Sequence, residues 1–115
     1  MTFTARYISD GRYIDYTPAQ DVAAGDVVIQ GELPGVAVED IPAGKLGALC
    51  VDGLVDFAKA SGNGTAIAAG TALYWDATAK QATASAGGGA NKYIGKSALA
   101  AADGDATVRV RFHPL

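Results

Sequence analysis

The fold class is decided by the stretch Thr107-Val108-Arg109-Val110-Arg111-Phe112-His113, which alternates apolar and polar side chains without a break. Because successive side chains of a β-strand point to opposite faces of a sheet, this alternation predicts a strand with one buried and one solvated face. The two valines and Phe112 are expected to point inward, and the two arginines and His113 outward. Residues 93–98 are expected to pair with this strand around Asp103-Gly104-Asp105.

Elsewhere the chain repeats a short phrase in which an apolar residue, two small residues and a glycine precede a strand. Its copies start at Val22, Ile41 and Ile67. Glycine at the fourth place admits a left-handed backbone, so each copy is predicted to be a tight turn that feeds a strand. The uneven spacing of the copies excludes a solenoid of equal repeats. The sequence therefore predicts an all-β fold, a small β-barrel or sandwich of about eight short antiparallel strands.

Two hairpins are predicted from local sequence. Residues 2–8 and 13–17 alternate on either side of Ser9-Asp10-Gly11, and an Asp-Gly pair in that setting is a strong hairpin signal, so residues 1–17 are expected to form an N-terminal hairpin or arm. A second hairpin is expected around residues 76–80, where the Asp76 carboxylate can bond amides of its own loop. Residues 86–91, rich in glycine, are expected to form a flexible loop.

The region around Gly53 is predicted as one half-buried strand that is interrupted at this glycine by a bulge or bend. Leu49 and Phe57 are expected on its buried face, and Asp52 and Asp56 on its solvated face. A calcium site needs about six oxygen ligands. The two acids supply too few, so they are expected to be solvated charges that discourage wrong pairing of strand edges.

The composition predicts a single domain over residues 1–115 with a thin core. Of the 115 residues, 24 are Ala and 15 are Gly, while aromatic residues make up 8%. The net charge is −3 and basic residues do not cluster, so no nucleic acid partner is expected. No run has the pattern of a signal peptide or a membrane span. We expect a protein made in a cytoplasm, without a membrane segment.

No residue pattern indicates catalysis, a metal site or a cofactor, and the chain is not expected to be an enzyme. Gly95-Lys96-Ser97 imitates the end of a phosphate-binding loop, but Ala90 stands where that loop needs its first glycine. A strand that exposes Lys96 is the favoured interpretation. Cys50 is expected to be a small buried residue, and His113 to be exposed.

The remaining functional candidates lie on the N-terminal residues, where aromatic and arginine side chains crowd together. Tyr and Arg are residue types that anchor protein interfaces, and an extended segment can add to the sheet edge of a neighbour. A contact with a larger assembly or with another subunit is predicted at Thr2, Phe3, Arg6 and Tyr7. The alternative concerns all the aromatic and arginine side chains of this region, Phe3, Arg6, Tyr7, Arg12, Tyr13 and Tyr16: half of them cover the thin core, and the rest lay their apolar parts on the surface with the polar ends in water.

Several short motifs, taken in order, carry a family resemblance. They are Val22-Ala23-Ala24-Gly25-Asp26-Val27-Val28, Gly35-Val36-Ala37, Ile41-Pro42-Ala43-Gly44, Gly53-Leu54-Val55-Asp56-Phe57-Ala58-Lys59, Leu73-Tyr74-Trp75-Asp76, Ile94-Gly95 and Val108-Arg109-Val110-Arg111. In order and spacing the chain resembles, over nearly its whole length, the bacteriophage capsid decoration proteins, also called cement proteins. The resemblance implies a β domain on the capsid exterior of the virion, bound to the major capsid protein, commonly as a homotrimer where capsomers meet.

The resemblance also implies a function, namely binding to the outer surface of the assembled capsid and stabilising it. No motif of catalytic residues comes with it. The alternative is a small β adhesion or carbohydrate-binding module of a phage or prophage particle, in which Tyr74 and Trp75 would stack on a sugar. A nucleotide-dependent recombination accessory, a third reading, is disfavoured by the incomplete phosphate-binding loop.

Overall fold

The fold is built from short strands joined by tight turns. The computed structural model describes residues 4–114, and within them it has nine β-strands and one short 3-10 helix, Gly87–Gly89. The strands are β1 (Tyr13–Tyr16), β2 (Val27–Gln30), β3 (Leu33–Ala37), β4 (Gly47–Cys50), β5 (Gly53–Ala58), β6 (Ala72–Asp76), β7 (Gln81–Thr83), β8 (Lys92–Ser97) and β9 (Thr107–Phe112).

The strands form two sheets, which we call the small sheet and the large sheet. The small sheet has the order β1-β4-β3-β2, and the large sheet has the order β5-β9-β8-β6-β7. All neighbouring strands are antiparallel. The sheets face each other with β3 packed against β8. This confirms the predicted all-β fold as a sandwich, and the sheets do not close into a barrel.

The main core lies between the two sheets. Phe57 anchors it, with ring centroids 5.7 Å from Trp75 and 5.4 Å from Phe112, distances at which tilted aromatic pairs attract each other. In β9 the side chains alternate between buried and exposed. The two valines and Phe112 face the core while the arginines and His113 face outward, as the sequence predicts.

A second apolar cluster covers the other face of the small sheet. Its buried members are Ala37, Ile41 and Leu49, and partly buried side chains from β1 and β2 pack around them. Ile41 lies so close over β4 that a Cβ atom on Gly47 would approach it to 2.6 Å. The small sheet is therefore buried on both faces, which is why its strands lack the alternating pattern of β9.

The three copies of the turn phrase form the predicted tight turns. Their glycines, Gly25, Gly44 and Gly70, have φ of 90°, 76° and 80°. One isolated bridge joins Val22 to Ile41, the first residues of two copies, and another joins Ile67 to Ala101. Ala101 opens a fourth copy, with a turn bond from Asp105 N–H to Ala102 O of 3.1 Å. Its sequence departs from the other copies, because alanine replaces the large apolar residue and Asp103 replaces the second small residue.

The second predicted hairpin is present. The predicted N-terminal hairpin is wrong for the described residues, because residues 4–16 do not form it. β6 and β7 pair across the loop in which the Asp76 carboxylate accepts the amides of Thr78 and Ala79 at 3.0 and 3.1 Å. β1 is a strand, but its partner is β4, and residues 4–12 are not in a strand. The reason is burial. Pairing with β4 packs Ile14 and Tyr16 of β1 against the second apolar cluster, and a local hairpin would not provide this burial.

The predicted interruption at Gly53 is a crossing between sheets. β4 ends at Cys50 in the small sheet, and β5 begins at Gly53 in the large sheet, where Gly53 pairs with Phe112. Gly53 has a φ of 142°, a conformation open to glycine that redirects the chain. One continuous strand was therefore the wrong interpretation of the alternation from Leu49 to Phe57.

The glycine-rich residues 86–91 form an exposed turn around the short 3-10 helix. Asn91 closes this turn by donating its Nδ2 to Ser85 O at 3.0 Å, and Ser85 Oγ accepts the Gly87 amide at 3.1 Å. The flexibility of this loop stays a prediction.

Candidate interaction surface

Residues 4–12, which we call the N-terminal segment, lead into β1 and lie exposed on the molecule. The side chains of Tyr7 and Ile8 are 76% and 78% exposed. The Tyr7 hydroxyl donates to the Asp10 carboxylate, and this hydrogen bond raises the pKa of Tyr7. Two large side chains that are adjacent in sequence are thus exposed to solvent.

The predicted contact residues are only partly described. Arg6 and Tyr7 are exposed on the N-terminal segment, next to each other in sequence. Thr2 and Phe3 lie outside the described residues. The alternative, that half of the aromatic side chains of this region cover the core, holds for Tyr16, which packs on the second apolar cluster, and not for Tyr7. The contact itself stays a prediction.

Each sheet ends in strands that are paired on one side only. In the small sheet these are β1 and β2. In the large sheet β5 pairs with β9 on one side, and its other side meets β7 through an isolated bridge between Lys59 and Ala82. Unpaired strand edges expose backbone donors and acceptors, and extended segments of other chains bind to such edges.

A cleft of about 540 Å³ opens between the edge strand β2 and the edge strand β5, and we call it the intersheet cleft. Val36, Phe57 and Trp75 line its apolar part. Asp26 and Lys80 are charged residues of its lining. Lys80 has a φ of 56°, rare for a residue with a side chain, because it closes the loop between β6 and β7. Sequence reasoning missed this cleft, since its walls come from segments that are distant in sequence.

The outer face of the large sheet carries two acid and arginine pairs between β9 and the residues in or next to β5. Arg109 binds Asp56 through two hydrogen bonds of 2.9 and 3.1 Å, and Arg111 Nη1 donates to Asp52 Oδ1 at 2.6 Å. These hydrogen bonds lower the pKa values of both carboxyl groups, and the bond to Asp56 raises the pKa of Arg109. His113 Nδ1 lies 3.4 Å from the same Asp52 oxygen. The predicted solvated acids are thus members of cross-strand ion pairs.

The structure separates the residues that imitate chemical motifs. Gly95-Lys96-Ser97 lies within β8 and exposes Lys96, as predicted, and Ser97 Oγ donates to Ala68 O at 2.7 Å inside the protein. Cys50 is buried in the core, and His113 is exposed on the outer face of the large sheet. These placements confirm the structural interpretation of each residue.

The aromatic pair of the carbohydrate-binding alternative does not form a stacking platform. Trp75 is buried against Phe57, and Tyr74 is half-buried with its ring edge on Tyr93 at a centroid distance of 5.6 Å. Within residues 4–114 no group of three His, Cys, Asp or Glu residues is placed to hold a metal ion. The same residues include no helix with the length and apolarity needed to span a bilayer.

The fold and its surface define a small two-sheet β protein with an exposed terminal segment, open strand edges and a cleft between the sheets. Residues 8–112 match the family model described as phage cement protein, and the chain belongs to that family. The comparisons with curated proteins and with solved structures gave no match. Family membership assigns the chain to the structural proteins of bacteriophage capsids and confirms the resemblance seen in the sequence.

Proposed function

We propose that the chain is a decoration protein that binds the outer surface of the assembled capsid and stabilises the shell, without enzyme activity. The observation that carries the proposal is the family match, which spans residues 8–112 and so includes both sheets. The proposed partner is the major capsid protein, and the proposed assembly is a homotrimer on the shell. The chain would act as one domain, made in the host cytoplasm and located on the capsid exterior.

The composition supports a role that depends on assembly. Alanine and glycine supply 24 and 15 of the 115 residues, so each strand buries little apolar area. Small domains of this kind commonly gain stability at symmetric interfaces. On a capsid lattice several weak contacts act together, because each contact after the first is effectively intramolecular. A copy that touches more than one capsomer therefore resists their separation.

The N-terminal segment is the proposed source of contact residues, with Arg6 and Tyr7 described and Thr2 and Phe3 preceding them. Exposed aromatic and arginine side chains contribute strongly when they become buried in an interface. Tyr7 and Ile8 are held by few contacts of their own chain, so they can be buried without first being removed from the core. The segment can reach either the capsid or a neighbouring copy.

The direct test is co-sedimentation of the purified chain with expanded capsid shells that lack it. We expect saturable pelleting with the shells and none in their absence. Heating the decorated and bare shells side by side should show that decorated shells retain their contents to a higher temperature. A chain that never pellets with any expanded shell would overturn the proposal.

A further inference from the structure

We propose that the intersheet cleft receives the N-terminal segment of a second copy of the chain, which pairs with the open edge of β2. This goes beyond capsid binding, because it assigns an occupant to a site on the chain itself and joins copies with or without a shell.

The cleft has the features of an acceptor for an extended segment. β2 pairs only with β3, so one side of its backbone is free to bind a further strand. Next to that edge lie Val36, Phe57 and Trp75, whose side chains give the cleft an apolar floor. β5, on the other wall, already meets β7 through the Lys59 to Ala82 bridge, which leaves β2 as the better edge for pairing.

The N-terminal segment has the side chains to fill such a site. An extended chain places neighbouring side chains on opposite sides, so Tyr7 and Ile8 would point to the two faces of the small sheet. One of them would enter the cleft, and the other would cover Val28, which is only partly buried on the opposite face of β2. Both exposed apolar side chains would then leave water, which favours docking.

The charged residues of the cleft and of the N-terminal segment allow an ion pair between copies. The cleft lining carries the carboxylate of Asp26 and the ammonium group of Lys80, whereas the Asp56 carboxylate is bound to Arg109 on the outer face of the large sheet. The N-terminal segment carries the guanidinium groups of Arg6 and Arg12 against the single carboxylate of Asp10. An arginine of the segment can therefore pair with Asp26, and such a pair contributes to the choice of partner.

Geometry assigns the occupant to a second copy. The segment continues from β1, which lies at the edge of the small sheet opposite to β2, with β4 and β3 between them. At a strand spacing of about 4.8 Å the two edges are roughly 14 Å apart. Residues 4–11 are exposed throughout, so the chain does not fill its own cleft. A contact of this kind is head-to-tail, and it closes into a ring when the rotation between copies allows it.

The test is a complementation of two defective variants. The segment variant, Tyr7→Asp with Ile8→Asp, keeps its cleft, and the cleft variants, Ala77→Arg or Ala58→Arg, keep their segment. Both alanines are exposed at the rim of the cleft, so arginine at either position crowds its entrance without entering the core. Ala79→Arg is the matched control, because Ala79 is exposed in the same loop but does not line the cleft.

Association is measured by analytical ultracentrifugation, together with the emission of Trp75, the single tryptophan, which lines the cleft. We expect the unmodified chain and Ala79→Arg to associate with a change in Trp75 emission, and each defective variant alone to associate at least about tenfold more weakly. Mixing the segment variant with either cleft variant should restore a one-to-one complex, because one intact segment then meets one intact cleft.

The proposal is overturned if the unmodified chain stays monomeric up to about 1 mM, the effective concentration of linked sites. It is also overturned if both cleft variants associate as the unmodified chain does, or if the mixture gives no complex. Pelleting of the unmodified chain with shells tests the capsid proposal separately, so the failure of one proposal is distinguished from the failure of the other.

Discussion

At the scale of single residues, Gly95 is the position with the least room for a side chain. Its φ is 130°, and a Cβ atom there would lie 2.1 Å from the backbone oxygen of Arg111 on β9. We expect Gly95→Ala to lower the free energy of unfolding by about 3 kcal/mol, because β8 must move away from β9 or adopt a strained backbone. Urea unfolding followed by Trp75 fluorescence measures this change.

Gly104→Ala is the control for this substitution. Gly104 lies in a turn where an added Cβ would meet nothing within 4 Å. Its stability change should stay within about 0.5 kcal/mol. Equal losses at the two glycines would show that the close approach of β8 and β9 is not the cause.

The pair of Asp56 and Arg109 makes stability depend on pH in a defined direction. Their hydrogen bonds lower the pKa of Asp56 below the ordinary aspartate value of 3.8. A lowered pKa in the folded state means that the pair contributes stability above the unfolded pKa and loses it as the pH falls through the folded pKa. The gap in urea midpoint between the unmodified chain and Asp56→Asn should therefore be largest at neutral pH and narrow in acid.

The difference in urea midpoint between the unmodified chain and Arg109→Gln should also narrow in acid, since this substitution removes the other member of the pair. Glu39→Gln, an exposed acid next to β3 in the small sheet, is the control and should leave the midpoint nearly unchanged at every pH. A gap for Asp56→Asn that stays constant from neutral to acid pH would contradict the assignment.

Residues whose roles depend on near neighbours were predictable from the sequence. Asp76 bonds amides two and three positions ahead, and Phe112 lies on the face that local alternation indicates, whereas the burial of Cys50 follows from its residue type and not from the alternation around it. The role of Gly95 could not be predicted from the sequence, because the atom that excludes a side chain belongs to Arg111. Strand pairing brings Arg111 next to Gly95. The cleft residue Lys80 was missed for the same reason.

At the scale of elements, two turns are locked to each other by an exchange of aspartates. Asp21, which precedes the first turn, accepts the amide of Ala43 in the second at 2.8 Å. Asp40, which precedes the second turn, accepts the amide of Ala24 in the first at 2.8 Å. We expect Asp21→Ala and Asp40→Ala each to cost about 1 kcal/mol in urea unfolding, because each leaves a turn amide without its acceptor.

The double substitution should cost less than the sum of the single ones, since both bonds support the same bridge between Val22 and Ile41. Asp21→Asn keeps an acceptor oxygen and serves as the control, with a smaller loss than Asp21→Ala. Strictly additive losses would show that the two turns are held independently.

The elements also show where local sequence fails to determine pairing. The loop between β6 and β7 specifies its own hairpin, because the two strands are close in sequence and Asp76 closes the turn. The pair of β1 and β4 joins residues more than thirty positions apart, and it is chosen by the burial of Ile14 and Tyr16 against the second apolar cluster. An Asp-Gly turn at residues 10–11 could not outweigh that burial.

At the scale of the whole molecule, the small sheet is the element that links core and surface. It is buried on both faces, and its edges are β1, from which the N-terminal segment continues, and β2, which borders the intersheet cleft. Donor and acceptor of the proposed contact between copies therefore lie on opposite edges of one rigid sheet. This arrangement lets copies be added in one direction, as a closed ring of decoration proteins would require.

The same arrangement predicts that the N-terminal segment can be removed without loss of the fold. Residues 4–11 are exposed and pair with no strand, so deletion of residues 2–7 should leave the circular dichroism spectrum and the urea midpoint unchanged. Co-sedimentation with expanded shells should weaken at least about tenfold, because the linked contacts that depend on the segment are lost together. Leu99→Ser, which alters an exposed apolar residue after β8, is the control and should pellet like the unmodified chain. A truncated chain that pellets normally would place the capsid contact on the sheets and leave the segment without a part in it.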